Sequence, residues 1–111
     1  MLSDICSLAS RVEMSSSILH TLLEIAHSSV KSKDANTRFI ACSLLQLILG
    51  TLPVDASLLP FCLSCFLPVL RDSSLSIRAE AVRRTSLGLA SLMAASDTLG
   101  TQFLTRLCDK L

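Results

Sequence analysis

The sequence predicts an all-α protein, and more specifically an α-solenoid (armadillo-like superhelix) of about two to three antiparallel helix pairs. Half of its 111 residues are hydrophobic, and it has only three glycines and three prolines. This composition favours packed helices over a β-sandwich with many tight turns. Apolar residues recur at helical spacing along most of the chain. Segments also resemble one another at a spacing near 40 residues, which is typical of helical repeats.

The hydrophobic pattern predicts helices in order along the chain. They are expected at about residues 3–14, 17–31, 34–51, 57–71 and 74–95, with a further segment from 97 to the C-terminus. The helix over 34–51 is apolar on nearly all sides, so we expect it to be buried between neighbours. Helix pairs are therefore expected at about 17–52 and 57–95, with the start of a third at 97–111.

The predicted helix over 74–95 has two distinct faces. Its packed face is expected to include Ile77, Ala81, Val82, Thr85, Gly88, Leu89, Leu92 and Met93. Its polar face is expected to include Glu80, Arg83, Arg84 and Ser91. This division predicts an amphipathic helix at the surface of the domain.

Composition and short motifs exclude several classes of function. The formal net charge of +1 selects no partner. The five cysteines fall in apolar helical patterns, so we expect buried free thiols in a reducing compartment, the nucleus or cytoplasm. Cys62 and Cys65 form a lone C-x-x-C without further zinc ligands nearby, and no catalytic signature is present. We expect no enzyme activity, cofactor, metal or small-molecule substrate.

The apolar region over 39–70 is too short in each half to cross a membrane. Residues 39–52 make a stretch of 14, and residues 58–70 make one of 13. A membrane-spanning helix needs about 20 apolar residues. A small membrane protein is therefore the weakest of the functional classes, and no membrane partner is expected.

Two registers define the internal repeat. "FLPVLRD" (66–72) returns as "FLTRLCD" (103–109) at a spacing of 37. "RFIACSLLQLILGTL" (38–52) aligns with "RAEAVRRTSLGLASL" (78–92) at a spacing of 40, which pairs Arg38 with Arg78. Two independent registers near 40 residues, each spanning two helices, indicate that the repeating unit is a helix pair with its turn.

Asp72, Arg78 and Asp109 are the residues that this repeat places at its turns. Asp72, or Ser74 beside it, is expected to cap the following helix. Arg78 is expected to bond to turn carbonyls or to the equivalent aspartate of a neighbouring repeat. Asp109 takes the place of Asp72 at a spacing of 37. We interpret these residues as a structural joint, since an acid–base catalytic pair would need a cleft.

The turn motif resembles that of the HEAT-repeat family, in which the first helix ends in L-x-D and the second opens with an arginine. Leu70-Arg71-Asp72 and Arg78-Ala79-Glu80-Ala81 match this pattern, whereas Ser32 replaces the acid before Arg38. The resemblance covers about residues 17–111. It implies a single HEAT-repeat segment over 1–111, expected to be a fragment of a longer solenoid.

A narrower resemblance is to the condensin G-type non-SMC subunit. It rests on "RFIAC" (38–42), "LPVDA" (52–56) and "RLCDKL" (106–111), although Ile40 replaces an arginine of the family pattern. The interval from Pro53 to Arg106 is also about one helix pair too long. The resemblance implies a scaffold that binds a kleisin subunit and double-stranded DNA in mitotic chromosome condensation. The alternative is a generic HEAT adaptor for protein partners, of the transport or phosphatase-scaffold type.

Basic residues supply the candidate DNA contacts. Stacked repeats bring equivalent positions into adjacent ridges, and a basic ridge can follow phosphates. The candidates are Lys31, Lys33, Arg38, Arg83 and Arg84. The alternative interpretation is a solvated face, since Asp34, Asp72, Glu80 and Asp109 lie nearby in sequence.

Overall fold

The computed structural model describes residues 16–110, and the secondary structure in that range is helical throughout. The α-helices are α1 (Ser16–Ser29), α2 (Ala35–Thr51), α3 (Leu59–Leu70), α4 (Leu75–Ala95) and α5 (Asp97–Lys110). Two short 3₁₀ turns, Leu52–Val54 and Ala56–Leu58, join α2 to α3. The all-α prediction is confirmed. The helix predicted over 3–14 lies outside the described residues.

Aspartates fix where the helices begin. The carboxylate of Asp34 accepts the backbone N–H of Asn36 at 3.2 Å and the hydroxyl of Thr37 at 2.9 Å, so it caps α2. Asp55 accepts the backbone N–H of Ser57 at 3.1 Å and thereby starts the second 3₁₀ turn. This turn occupies residues 56–58, so α3 begins two residues later than the predicted start at 57.

The helices form two layers. α3 packs against both α1 and α5 in one layer, whereas α2 and α4 pack against each other in the second. The contact between α2 and α4 is the most extensive between any two helices of the described range. The domain measures 33 × 31 × 19 Å, and its shortest dimension fits two layers of helices about 10 Å thick.

α2 lies at the centre of the core, as its apolar sequence predicts. Its buried residues are Ala41, Cys42, Leu44, Leu45, Ile48 and Leu49. α4 approaches α2 closely at Gly88, where a Cβ atom would lie 3.1 Å from the carbonyl oxygen of Gln46 and 3.2 Å from Cβ of Leu49. Between α3 and α5, the rings of Phe66 and Phe103 meet edge to face with centroids 5.5 Å apart. These two residues are equivalent in the 37-residue register.

The predicted faces of α4 need two corrections. Glu80, expected on the polar face, is buried with 8% of its surface exposed. Val82, expected on the packed face, is 56% exposed. The reason is that the most extensive contact of α4 is with α2, so the buried stripe turns towards α2 and includes Glu80.

The cysteines of the described range are free thiols. Cys42, Cys62 and Cys65 are buried as predicted, but Cys108 is exposed because it lies on the outer side of α5. Burial raises the pKa of Cys65 to about 11, and burial together with the nearby carboxylate of Glu80 raises that of Cys42 to about 11. These thiols therefore stay protonated near neutral pH.

Within residues 16–110, no helix is both long enough and apolar enough to cross a membrane.

Candidate functional site

The turn between α1 and α2 is bound to the turn between α3 and α4 by one arginine. Nε of Arg38 donates to Oδ2 of Asp72 at 2.7 Å, and its Nη2 approaches Oδ1 at 3.4 Å. Nη1 of the same guanidinium donates to the carbonyl oxygen of Ser32 at 2.9 Å. The side chains of Arg38 and Asp72 are 17% and 5% exposed, so this ion pair is largely removed from solvent.

Arg78 repeats half of that arrangement one helix pair further on. Its Nη1 donates to the carbonyl oxygen of Asp72 at 2.7 Å. Arg38 and Arg78 thus both bind the carbonyl six residues before them, in the turn that precedes their own helix. The turn carbonyl is one of the two partners that the sequence suggested for Arg78.

Asp72 connects these contacts. It accepts the backbone N–H of Ser74 at 2.9 Å, which closes the turn before α4. Burial pushes the pKa of Asp72 upwards, but the Ser74 N–H and the guanidinium of Arg38 outweigh it and hold the pKa below its usual value. Its counterpart Asp109 is exposed in the last turn of α5 and forms no salt bridge with a residue in 16–110.

A second polar network links α2 to α4. The buried carboxylate of Glu80 accepts Nε of Arg83 at 2.9 Å and Nε of Arg84 at 3.2 Å. Nη1 of Arg84 continues to Oε1 of Gln46 on α2 at 2.8 Å. The hydrogen bond from Arg83, together with Arg84, lowers the pKa of Glu80. Sequence reasoning missed Gln46, since nothing local marks it as the partner of an arginine 38 residues away.

The five predicted DNA contacts fall into two groups. Arg38 binds the buried carboxylate of Asp72, whereas Arg83 and Arg84 share the buried carboxylate of Glu80, so all three guanidinium groups are held in ion pairs within the protein. Lys31 and Lys33 are exposed at the turn between α1 and α2, and neither forms a salt bridge with a residue the structure describes.

We call Lys31, Lys33 and Arg71 the basic turn edge. The bond between Arg38 and Asp72 places the two turns that carry these residues side by side. Arg71 is exposed and donates to the backbone carbonyl of Lys110, so the C-terminal end of α5 adjoins the same edge. Three cations on adjacent turns form a ridge that can contact successive phosphates.

Comparison with models of protein families, with curated proteins and with solved structures finds no significant match. Within residues 16–110, no three His, Cys, Asp or Glu side chains are grouped to hold a metal ion.

Proposed function

We propose that this chain is a non-catalytic HEAT-type scaffold, with α1–α2 and α3–α4 as two repeats of an α-solenoid and α5 as the first helix of a third. The observation that carries the proposal is the joint of Arg38, Asp72 and Arg78. Arg38 and Arg78 each donate to the carbonyl oxygen six residues upstream, and Arg38 also donates to the carboxylate of Asp72 in the next turn. The two helical layers are compatible with this stacking.

The more specific proposal is a condensin G-like subunit that binds a kleisin partner and double-stranded DNA in the nucleus. The basic turn edge supports the DNA part, because its cations are exposed and have no carboxylate partner within the described residues. Lys31 and Lys33 remain the candidate contacts, now joined by Arg71. Arg38 is assigned to the joint instead, since its guanidinium is already bound to Asp72 and Ser32.

Binding to a labelled DNA duplex at several salt concentrations tests this proposal. Replacing Lys31 and Lys33 by glutamine is expected to weaken binding roughly 5- to 20-fold at low salt. It should also reduce the slope of log affinity against log salt by about 2, because two phosphate contacts are lost. The matched control is Arg83→Gln with Arg106→Gln, which removes the same charge outside the basic turn edge and should leave both quantities unchanged. An affinity that is absent at low salt, or equal in both double variants, would remove the DNA proposal.

A protein-binding adaptor is the second candidate. Leu47 and Leu87 are equivalent at a spacing of 40, and both are partly exposed, Leu87 to 44%. Leu47 also lines a cavity of about 180 Å³ together with Ser43, Gln46 and Arg84. If the chain is an adaptor, replacing both leucines by aspartate should abolish capture of a protein partner of the transport or phosphatase-scaffold type. Unaltered capture by this variant would exclude the α2–α4 surface.

A further inference from the structure

The groove between α1 and α3 is closed by an aromatic ring. Phe61 of α3 lies against His20 and His27 of α1, with ring centroids 5.7 Å and 5.6 Å apart and interplanar angles of 60° and 63°. The two histidines are two helical turns apart, so one phenylalanine fills the space between them. This contact belongs to the first pair of neighbouring helices in the three-helix layer.

The equivalent groove between α3 and α5 is open. At a spacing of 40, His20 and His27 correspond to Pro60 and Leu67, and both of these line a cavity of about 410 Å³ together with Leu63 and Ser64. The residues equivalent to Phe61 are Thr98 or Thr101, at spacings of 37 and 40, and neither lines the cavity. The repeat thus keeps the two α3 positions that correspond to His20 and His27, but no aromatic residue of α5 lies against them.

Charged side chains surround this apolar cavity. Its other wall consists of Arg106, Asp109 and Lys110, all exposed on α5. Arg71 adjoins it through its bond to the carbonyl of Lys110. Neither Arg106 nor Lys110 forms a salt bridge with a residue in 16–110. With three cations and one carboxylate, the surroundings of the cavity favour an anionic ligand.

We propose that the groove between α3 and α5 binds a peptide segment of a partner protein that inserts an aromatic side chain and sets carboxylates against Arg106 and Lys110. The apolar wall takes the ring against Pro60 and Leu67, which correspond to the histidines that contact Phe61 in the preceding groove. Aromatic anchors in pockets contribute much of the affinity of protein interfaces, and surrounding charges select the partner. Arg106 and Lys110 are different residues from Lys31 and Lys33, the turn-edge residues whose DNA contact is tested above, so the two kinds of binding can be tested independently.

The probe is a short fluorescein-labelled peptide with one phenylalanine flanked by aspartate and glutamate residues. Fluorescence anisotropy is expected to give a Kd of roughly 10–100 µM at low salt, as for one anchor with exposed ion pairs. Replacing the phenylalanine by alanine, or the acidic residues by lysine, should weaken binding at least about 10-fold. Equal binding of the alanine peptide would overturn the proposal, as would no binding of the original one.

Protein variants locate the site. Ser64→Trp fills the cavity from its α3 wall and should weaken peptide binding about 10-fold, and Arg106→Gln with Lys110→Gln should weaken it about 5-fold. The control pair Lys31→Gln with Lys33→Gln should bind the peptide normally, so a loss of DNA binding and a loss of peptide binding remain distinguishable. Circular dichroism melts verify that each variant is folded. Undiminished binding by both groove variants, or self-association of the chain abolished by Ser64→Trp, would refute a peptide partner at this groove.

Discussion

Replacing Asp72 tests whether the joint between the two turns stabilises the domain. In Asp72→Ala, the side chain of Arg38, which is only 17% exposed, loses its carboxylate partner. The backbone N–H of Ser74 also loses its acceptor. Breaking a fully buried ion pair costs about 3–5 kcal/mol, whereas an exposed pair contributes about 0.2–1 kcal/mol. The Arg38–Asp72 pair lies between these limits, so we assign about 2 kcal/mol to its loss.

The lost hydrogen bond from Ser74 adds about 1 kcal/mol, so the expected total for Asp72→Ala is about 3 kcal/mol. Asp72→Asn keeps an acceptor for Ser74 and should cost only about 1–2 kcal/mol. For a domain of this size, 1 kcal/mol lowers Tm by roughly 4–8 °C, so Asp72→Ala should melt roughly 12–24 °C below the parent protein.

Urea denaturation followed by far-ultraviolet circular dichroism is the suitable assay, because the chain has neither tryptophan nor tyrosine as a fluorescent reporter. The matched control is Asp109→Ala at the equivalent repeat position, which is exposed and should change stability by less than about 0.5 kcal/mol. A double-mutant cycle with Arg38→Met should give a coupling energy of about 1–2 kcal/mol. Equal effects of the Asp72 and Asp109 substitutions, or a coupling energy near zero, would refute this account of the joint.

Two further predictions follow from the helix contacts and the carboxylates. Gly50→Ala should raise the free energy of unfolding by about 0.5–1 kcal/mol through helix propensity, since its Cβ would meet Ser91 at an ordinary 3.5 Å. Gly88→Val should lower the free energy of unfolding by about 2 kcal/mol, because the added atoms separate α4 from α2. Chemical denaturation measures the change in both variants, and changes of the same sign would contradict the packing described. Because the pKa values of Asp72 and Glu80 are lowered in the folded protein, their ionised carboxylates stabilise it. This stabilisation is fully present above about pH 5 and is lost as the pH falls through the folded-state pKa values. Acid titration followed by circular dichroism should show this loss, and Asp72→Asn should show a smaller one; an unchanged acid transition in that variant would count against the assignment.

Helix positions in the described range were largely predictable from the sequence, since apolar periodicity and capping residues act locally. The predicted limits of 34–51 and 74–95 differ by one residue from the starts of α2 and α4. The exception is residues 56–58, where the cap provided by Asp55 produces a 3₁₀ turn before α3. The spacing of apolar residues alone does not distinguish a 3₁₀ turn from the first turn of an α-helix.

Residue roles were less predictable because they depend on how the helices stack. The repeat register paired Arg38 with Arg78, but their shared bond to the carbonyl six residues upstream required the turn geometry. The burial of Glu80 was missed, since a carboxylate with two nearby arginines has the pattern of a solvated surface. Its role depends on Gln46, which only the contact between α2 and α4 brings within reach of Arg84.

The position of α5 at one end of its layer has a consequence for local unfolding. Within the described range, α5 makes substantial contacts with two helices, α3 and α4. Its buried residues are Gly100, Phe103 and Leu107. Detaching α5 therefore exposes far less apolar surface than opening α2, whose buried side chains face helices on several sides. Amide hydrogen exchange should accordingly divide the domain into a slow unit around α2 and a fast unit formed by α5. A ligand bound in the groove between α3 and α5 would couple the fast unit to the slow unit. It would therefore slow amide exchange in both α3 and α5.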